Sequence, residues 1–466
     1  MAYESITGLA ERLQSGELSP AALTEAALAR IERWRSLNAF ITVTGDLARA
    51  QAEQTGREIA AGHYRGPLHG VPVSLKDLID TRGIRTTCGS RVLAEHVPAR
   101  DATVTVRLRD AGAVLLGKAA LHEFAFGITN NNAHFGPTCN PWGLDRIPGG
   151  SSGGGAAAVA AGLGAASIGT DTGGSIRIPA ALCGVVGLKP SYGRVSTYGV
   201  FPLSWSLDHP GPLTRTVEDA AILLQTIAGP DPHDRTTLEQ PVPDFRAAVR
   251  RDVRGLRVGI LDDSYHRQVE PGVGIAFEAA LEVLRGLGLR LQTVTLPHMP
   301  ETFAAQLAII QAESASVHER WLRERPGEYG PETLDRLRPG LFVTAAQYLR
   351  AQKLRALAFE EYAELFQGID ALVTPSVPAV APRIGQDTID LAGEILETRA
   401  VITRCSRLFN FVGAPAMSLP CGFGAGGMPV GLQIAARPMD EETVVAIGAA
   451  YERATPWHTR RPPEPE

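Results

Sequence analysis

The sequence predicts an α/β protein, a single large domain in which a central mixed β-sheet is covered by helices. Three observations support this fold class. Apolar strand-like runs alternate with helical periodicity along the chain, no clean linker divides it, and 44% of its 466 residues are hydrophobic. Such alternation is typical of sheets that carry helices on their faces. The chain is also long enough to bury a large core.

The N-terminal part, residues 1–60, is predicted to be helical. Ser19 is a suitable N-cap, Pro20 fits a first helical turn, and apolar residues follow at helical spacing. A buried strand is expected next, because apolar residues alternate there along the chain. That strand contains Val71, Val73 and Leu75 and ends in Lys76 and Asp77.

The rest of the chain continues the alternation of helices and strands. We expect helices at 102–110, 154–163, 216–229 and 274–288, and strands at 113–116, 165–171, 256–263, 289–296, 368–378 and 414–423. The polar, Pro-rich stretch 229–254 is interpreted as a long surface connection, and 300–366 as a helical insertion. The tail, 459–466, is predicted to be disordered.

Charge and cysteine content exclude several classes of function. The net charge is −5 and the basic residues are dispersed, so neither a nucleic acid nor a membrane surface is an expected partner. The apolar run 156–168 is shorter than the ~20 residues that span a bilayer. Five widely spaced cysteines indicate reduced thiols and a cytoplasmic protein, and no pattern indicates a metal or a cofactor.

The segment 149–180, GGSSGGGAAAVAAGLGAASIGTDTGGSIRIPA, places a double glycine before each of two serines, Ser151 and Ser175. Close packing of small residues is one interpretation. Serine chemistry is another, but a serine hydroxyl needs a base within hydrogen-bond reach. Lys76 is a candidate base, because burial disfavours the ammonium form of a lysine. The residues alone leave both interpretations open.

Long stretches of the sequence resemble the amidase signature family. The matching motifs are GVPVSLKD at 70–77, PGGSSGG at 148–154 and GTDTGGSIRIPAALCGVVGLKPSYGRVS at 169–196. The resemblance implies the amidase signature fold and a Ser–Ser–Lys triad, with Ser175 as nucleophile, Ser151 as bridging serine and Lys76 as general base. It also implies a cis peptide bond between Gly150 and Ser151.

The resemblance further implies how the nucleophile is supported. The backbone N–H groups of Thr172, Gly173, Gly174 and Ser175 would form the oxyanion hole, and bulk at 173 or 174 is expected to block the substrate. Supporting roles fall to Asp171, Arg177 and Ser152. Arg177 is expected to brace the loop rather than meet a substrate carboxylate. The pocket walls are expected from loops around 120–135 and from 300–400.

Within this family the sequence favours a free-standing bacterial amidase that hydrolyses a small or aryl amide, or a related ester, anilide or carbamate. The alternative is the A subunit of a glutamine-dependent tRNA amidotransferase, which uses the same triad to release ammonia from glutamine. That subunit usually carries an Asp-containing stretch where this chain has Arg399, Arg404 and Arg407. A second alternative is a catalytically silent binding homologue. The expected partner is a small-molecule amide, with a homodimer as the expected assembly.

Overall fold

The computed structural model describes residues 1–465, with the backbone alone at residues 264 and 265. The strands, in chain order, are β1 (Phe40–Val43), β2 (Pro72–Lys76), β3 (Val114–Ala119), β4 (Asn131–Asn132), β5 (Gly136–Pro137), β6 (Ala166–Asp171), β7 (Val186–Lys189), β8 (His209–Thr214), β9 (Arg257–Leu261), β10 (Arg290–Val294), β11 (Ala371–Pro375), β12 (Thr388–Leu391), β13 (Glu394–Glu397), β14 (Ala416–Phe423) and β15 (Pro429–Ala435).

The helices occupy most of the sequence between these strands. They are α1 (Ile6–Gln14), α2 (Pro20–Arg33), α3 (Gly45–Ala60), α4 (Thr103–Asp110), α5 (Gly153–Ala160), α6 (Arg177–Cys183), α7 (Val217–Ile227), α8 (Phe245–Ala248), α9 (Ser264–Arg267), α10 (Pro271–Gly286), α11 (Met299–Glu324), α12 (Pro331–Leu337), α13 (Ala345–Gly368), α14 (Thr398–Ile402), α15 (Arg407–Phe411) and α16 (Glu441–Ala454).

One large mixed sheet forms the centre of the molecule. Within residues 1–465 it has 11 strands, in the order β1-β3-β2-β6-β8-β7-β14-β15-β11-β9-β10. β2 runs parallel to β3 and β6, and β9 runs parallel to β10 and β11. Antiparallel pairs join β6 through β8, β7 and β14 to β15. This confirms the predicted fold class, a single domain with a mixed central sheet covered by helices.

Helix α2 shows how local sequence sets an element boundary. The hydroxyl of Ser19 accepts a hydrogen bond of 3.1 Å from the N–H of Ala22, and Pro20 occupies the first turn. Such a cap satisfies one of the N–H groups that a helix start leaves without a partner. Leu23 and Ala27 are buried on one face of the helix. The predicted start of this helix is therefore confirmed.

The N-terminal region 1–60 departs from the all-helical prediction at one place. Between α2 and α3, residues Phe40–Val43 form strand β1, which pairs antiparallel with β3. Aromatic and β-branched side chains suit a pleated surface, and an edge strand needs a partner on only one side. The helical prediction treated this short run as part of a longer helical region.

The C-terminal tail also departs from its prediction. Residues Trp457–Thr459 form a 3-10 turn, and the carboxylate of Glu464 accepts hydrogen bonds from Tyr3 (3.1 Å) and Arg30 (2.5 Å). The Arg461 guanidinium lies 4.2 Å from the centre of the Tyr3 ring. Instead of being disordered, residues 459–465 are therefore held against the N-terminal region by an ion pair and a cation–π contact.

The region predicted as a helical insertion consists of α11, α12 and α13. Helix α11 packs against the loop before β8, where Ser204 Oγ donates a hydrogen bond of 2.7 Å to the buried Glu313 carboxylate. This contact holds α11 beside the loop that precedes β8. In the described part of the chain, every helix is too short or too polar to span a membrane.

The glycines that open α5 allow close packing beside the two serines. A Cβ added at Gly154 would lie 2.5 Å from the backbone of Ala120 and of Ala39, and one at Gly155 would lie 2.5 Å from Ser167 Oγ. Real side chains do not tolerate such distances. The small-residue segment therefore serves packing as well as chemistry, because it seats α5 against β6 and β3.

Candidate active site

Strands β2 and β6 place a buried lysine beside a serine. Lys76 is the last residue of β2, and its Nζ lies 2.7 Å from Ser151 Oγ and 2.9 Å from Thr170 Oγ1. Lys76 is 1% exposed and Ser151 is fully buried. The parallel pairing of β2 with β6 brings Thr170 to the same end of the sheet as Lys76. Two residues that stand 75 positions apart are thus hydrogen-bonded.

The environment of Lys76 weakens its hold on a proton. Burial lowers the pKa of Lys76 to about 7 from its usual 10.5, although the carboxylates of Asp208 and Asp171 act in the opposite direction. Removal from water penalises the ammonium form more than the neutral amine. A substantial fraction of Lys76 is therefore uncharged at neutral pH, as a general base requires.

The loop before α5 presents Ser151 and Ser152 to different partners. The peptide bond between Gly150 and Ser151 is cis. The hydroxyl of Ser152 donates to the carbonyl of Thr170 (3.1 Å) and accepts from its N–H (3.2 Å). Ser152 therefore fixes this loop to β6, while the side chain of Ser151 is directed at Lys76.

Ser175 lies in the turn that follows β6. Its carbonyl accepts a hydrogen bond of 3.2 Å from the N–H of Ser152, so the two serine-containing loops are in direct contact. Its side chain lines a small, partly open cavity. In the described residues, Ser175 Oγ makes no hydrogen bond to Ser151 or to any histidine. The first link of the predicted relay is present, and the second is a proposal.

The turn Thr172–Gly174 supplies backbone donors near Ser175. Gly174 has a φ of +128°, and a Cβ there would lie 2.3 Å from Ser406 Oγ. Its N–H donates a hydrogen bond of 2.7 Å to the Asp171 carboxylate. This predicted oxyanion donor is thus already engaged. The N–H groups of Thr172, Gly173 and Ser175 have no acceptor among the described residues.

The prediction that bulk at position 173 blocks the substrate stays a prediction, because Gly173 lines the cavity beside Ser175 and its clash with a substrate is not tested by contacts within the protein. A Cβ at Gly173 would meet only Arg407 Cγ, at 3.8 Å, which is an ordinary contact. Within the protein, glycine is therefore sterically required at 174 but not at 173.

Asp171 and Arg177 form a fully buried ion pair behind this turn. Arg177 Nη2 and Nε lie 3.0 Å from the two carboxylate oxygens of Asp171. Burial alone would raise the pKa of Asp171, but the Arg177 guanidinium outweighs it and keeps that pKa well below its usual range. Arg177 also donates to the side chains of Asn410 (2.6 Å) and Gln433 (2.8 Å). These contacts engage Arg177 with buried protein groups, which supports the prediction that it braces the loop.

Several residues of the site were not predicted. Asp208 accepts hydrogen bonds from Thr172 Oγ1 (2.5 Å) and from the N–H groups of Leu203 and Ser204. Burial raises its pKa to about 7. Asn410 donates to the carbonyl of Asp171. Asp208 stands directly before a buried strand, and this polar position at a strand end was the available signal.

The cavity beside Ser175 has apolar walls and two basic side chains. The wall from 125–128 and the residues from α11 and α14 match the regions from which pocket walls were expected. The lining residues are Ala125, Phe126, Gly127, Ile128, Thr172, Gly173, Ser175, Leu203, Ile310, Arg399, Thr403 and Arg407.

A buried lysine hydrogen-bonded to a serine hydroxyl is an arrangement that can activate a serine, as serine hydrolases require. The Amidase family model matches residues 22–445. The chain therefore belongs to the amidase signature family, as the resemblance of its motifs implied.

Individual relatives show which members of the family the chain is similar to. The chain is 44% identical to the A subunit of the Glutamyl-tRNA(Gln) amidotransferase of Roseiflexus sp. (strain RS-1), over 98% of this chain and 97% of the relative. It superposes on the subunit of the same name from Thermotoga maritima with a TM-score of 0.81 and 37% identity, covering 98% and 95% of the two chains. A structure described as a vestigial protein complex linked to an s-triazine catabolic enzyme gives a TM-score of 0.93 and 36% identity, covering 97% and 98%.

These relatives correct the expected function. The sequence favoured a free-standing amidase acting on small or aryl amides, on the strength of the basic stretch 399–407. Full-length relatives from Roseiflexus, Geobacter and Thermosynechococcus are instead A subunits of Glutamyl-tRNA(Gln) amidotransferases, at 42–44% identity. The short C-terminal stretch was therefore given too much weight against similarity that extends along the whole chain.

The expected partners are corrected on the same grounds. The sequence predicted a small-molecule amide as the partner, without nucleic acid, and a possible homodimer. The relatives carry the names of subunits of an enzyme that acts on a tRNA. The net charge of one chain does not show whether its complex binds a tRNA, because one subunit of a complex need not contact the nucleic acid itself.

Proposed function

We propose that this chain is the amide-hydrolysing A subunit of an amidotransferase of the Glutamyl-tRNA(Gln) class, and that it releases ammonia from an amide donor. The observation that carries the proposal is 44% identity over 98% of the chain to such a subunit. The hydrogen bond of 2.7 Å between Lys76 and Ser151 supports the catalytic part, since it joins a base to a hydroxyl.

The proposed roles follow from contacts and burial. Neutral Lys76 takes a proton from Ser151, which takes the proton of Ser175 as Ser175 Oγ attacks the amide carbon. A serine hydroxyl needs such a base because it is a weak nucleophile at its own pKa. The contact between the Ser152 N–H and the Ser175 carbonyl supports this sequence, because it holds the two serine loops together.

Charge that develops on the carbonyl oxygen needs donors already in position. The free N–H groups of Thr172, Gly173 and Ser175 are proposed for this role. Gly174 is assigned a structural role, because its N–H is bonded to Asp171. The C–N bond then breaks, nitrogen leaves as ammonia with the proton returned through Ser151, and water hydrolyses the acyl-enzyme.

An A subunit implies further subunits that bind the tRNA. The chain itself carries a net charge of −5, which disfavours a phosphate backbone. We therefore infer that partner subunits supply the RNA contacts and receive the ammonia that this chain releases.

Purification from the source organism tests the proposal. Tagged wild-type chain and a Ser175→Ala variant are isolated and assayed for conversion of radiolabelled glutamyl-tRNA(Gln) to glutaminyl-tRNA(Gln), with glutamine and glutaramate supplied in parallel as amide donors. We expect wild-type complexes to form the product from a donor. The Ser175→Ala complexes should form it only from added ammonium chloride, because their transfer step is intact.

Two results would contradict the proposal. Amide hydrolysis by a chain that purifies without partner subunits and yields no glutaminyl-tRNA would exclude the amidotransferase class. Absence of both hydrolysis and labelling of Ser175 by a fluorophosphonate probe would indicate a catalytically silent homologue.

A further inference from the structure

Two arginines line the cavity that contains Ser175. Arg399 belongs to α14 and Arg407 begins α15, and both border the same partly open cavity. The planar faces of these side chains are covered by aromatic rings. The Arg399 guanidinium lies 5.4 Å from the centre of the Phe126 ring, and that of Arg407 lies 5.7 Å from the centre of the Phe303 ring.

Neither guanidinium has an anionic partner within ion-pair distance in the part of the chain that the structure describes. Other enclosed arginines of the site do have one, since Arg177 pairs with Asp171 and Arg336 pairs with Glu332. Burial lowers the pKa of Arg399 to about 9, with Arg336 and Arg407 adding repulsion, and burial lowers that of Arg407 to about 10. Both remain cations at neutral pH.

Burial takes both guanidinium groups out of water, which is costly for unpaired cations, and an anionic ligand offsets that cost. Guanidinium groups are well suited to bind a carboxylate through parallel hydrogen bonds. The cavity therefore has the chemistry of a carboxylate site next to the nucleophile.

Among the described residues, the cavity lining carries basic but no acidic side chains, and the carboxylates that act on Arg399, those of Glu397 and Glu332, lie outside this lining. Thr403, on the segment between the two arginines, directs its hydroxyl to the carbonyl of Arg399 at 2.9 Å. An α-ammonium group would therefore lie beside two guanidinium groups without a carboxylate to hold it.

We propose that this cavity selects amide donors whose acyl part carries a carboxylate and no ammonium group, with Arg399 and Arg407 holding the carboxylate. Half-amides of short dicarboxylic acids are the matching class. The inference rests on the proposed function, because the leaving group of an ammonia-releasing enzyme carries no substituent. The anionic group must then belong to the acyl part.

The reaction of such a donor is balanced with water alone. Ser175 Oγ forms a bond to the amide carbon, the C–N bond breaks, and the nitrogen leaves as ammonia. Water then cleaves the acyl ester, so the half-amide becomes a dicarboxylate and Ser175 regains its proton.

Ammonia release from three amides of similar size tests the selection. Glutaramate carries a carboxylate, L-glutamine carries a carboxylate and an ammonium group, and pentanamide is neutral. We expect kcat/KM to be highest for glutaramate, by about tenfold to a hundredfold over each of the others, as charge-assisted hydrogen bonds to a carboxylate imply.

Variants identify the residues responsible. Arg399→Gln and Arg407→Gln should each raise KM for glutaramate about tenfold or more and lower the preference for glutaramate over pentanamide by a similar factor. Arg404→Gln is the matched control. Arg404 lies on the same segment and does not line the cavity, and it donates a hydrogen bond to Gln268 instead.

Binding measurements test the inference even if the isolated chain hydrolyses amides too slowly for a rate assay. Calorimetry of glutaramate with a Ser175→Ala variant should detect binding that Ser175→Ala/Arg399→Gln loses. Equal or better use of glutamine or pentanamide, or unchanged glutaramate binding in the arginine variants, would overturn the inference. A failure of the proposed function can be told apart from a failure of this inference. The former appears as absence of tRNA amidation with every donor, and the latter appears as a changed order of donor preference.

Discussion

Lys76 Nζ lies 2.7 Å from Ser151 Oγ, and this hydrogen bond joins the end of a buried β-strand to the loop that carries the cis peptide bond. No carboxylate is within ion-pair distance of Lys76 in the described residues, so burial dominates its pKa. The amine is therefore placed to accept a proton from Ser151 at neutral pH. The proposed roles of Ser151 and Ser175 depend on this hydrogen bond.

The two serines should differ in their effect on the rate. Ser175→Ala removes the attacking oxygen, and we expect kcat to fall by about 10⁴-fold or more, because no other group can form the acyl-enzyme. Ser151→Ala should retain measurable activity, since water can replace the bridging hydroxyl. Steady-state kinetics measures both effects, and thermal melting of each variant confirms that it is folded. Equal rates for the two variants would contradict the assigned order of the relay.

The two glycines before Ser175 should respond differently to a methyl group. At Gly174, φ is +128° and a Cβ would collide with Ser406 Oγ, so Gly174→Ala should lower the free energy of unfolding by about 1–3 kcal/mol. Gly173→Ala should change it by less than about 0.5 kcal/mol, because its Cβ has room. Urea titration measures both values. Comparable losses at the two positions would show that the turn has a different conformation.

Arg177→Met should destabilise the protein strongly. Removal of one partner leaves the Asp171 carboxylate fully buried without its guanidinium, which typically costs about 3–5 kcal/mol. The matched control is Arg49→Met, which breaks the exposed pair between Arg49 and Glu25 and should leave the free energy of unfolding almost unchanged. Urea unfolding of both variants makes the comparison. A mild effect of Arg177→Met would indicate that the loop is braced by other contacts.

Asp208→Asn should shift the pH dependence of the rate to lower pH. The Asp208 carboxylate raises the pKa of Lys76, so its removal lets the ammonium lose its proton more easily. Asparagine can still accept a hydrogen bond from the backbone of Leu203 or Ser204, which supports folding. The profile of kcat from pH 5 to pH 9 reveals the shift. An upward shift would mean that Asp208 does not act on Lys76 through its charge.

Sequence reasoning proposed the site residues that lie in continuous motifs, and the structure brings Lys76 and Ser151 into contact. Lys76, Ser151 and Ser175 each belong to a long characteristic stretch, and the local patterns around them are strong. Strand and helix boundaries such as the Ser19 cap were predictable for the same reason, because capping and periodicity are local properties.

The rest depended on contacts between distant segments. Asp208 meets Thr172, and Asn410 meets Asp171 across 239 positions, so no local pattern reveals either pair. The arginines at 399 and 407 were noticed, but the sequence did not show that they border Ser175 or that they lack anionic partners. The sequence also could not show that the N–H of Gly174 donates to Asp171, because this bond depends on the direction of one peptide group.

The prediction of a free-standing amidase was wrong because it gave a short segment more weight than the similarity along the whole chain. The basic stretch at 399–407 suggested a free-standing amidase, whereas the full-length relatives are subunits of a tRNA-dependent enzyme. We propose a different role for two of these arginines, Arg399 and Arg407, as determinants of the amide donor rather than of the assembly.

The most direct test of the account is the rate of Ser175 labelling by a fluorophosphonate probe as a function of pH, for wild-type protein and for Lys76→Ala. Since the pKa of Lys76 is held near 7 by burial, the wild-type labelling rate should rise with a midpoint near pH 7 and level off above it. The Lys76→Ala protein should be labelled far more slowly and without that midpoint. A wild-type rate that is independent of pH, or a Lys76→Ala protein labelled at the wild-type rate, would contradict the role of Lys76 as the base.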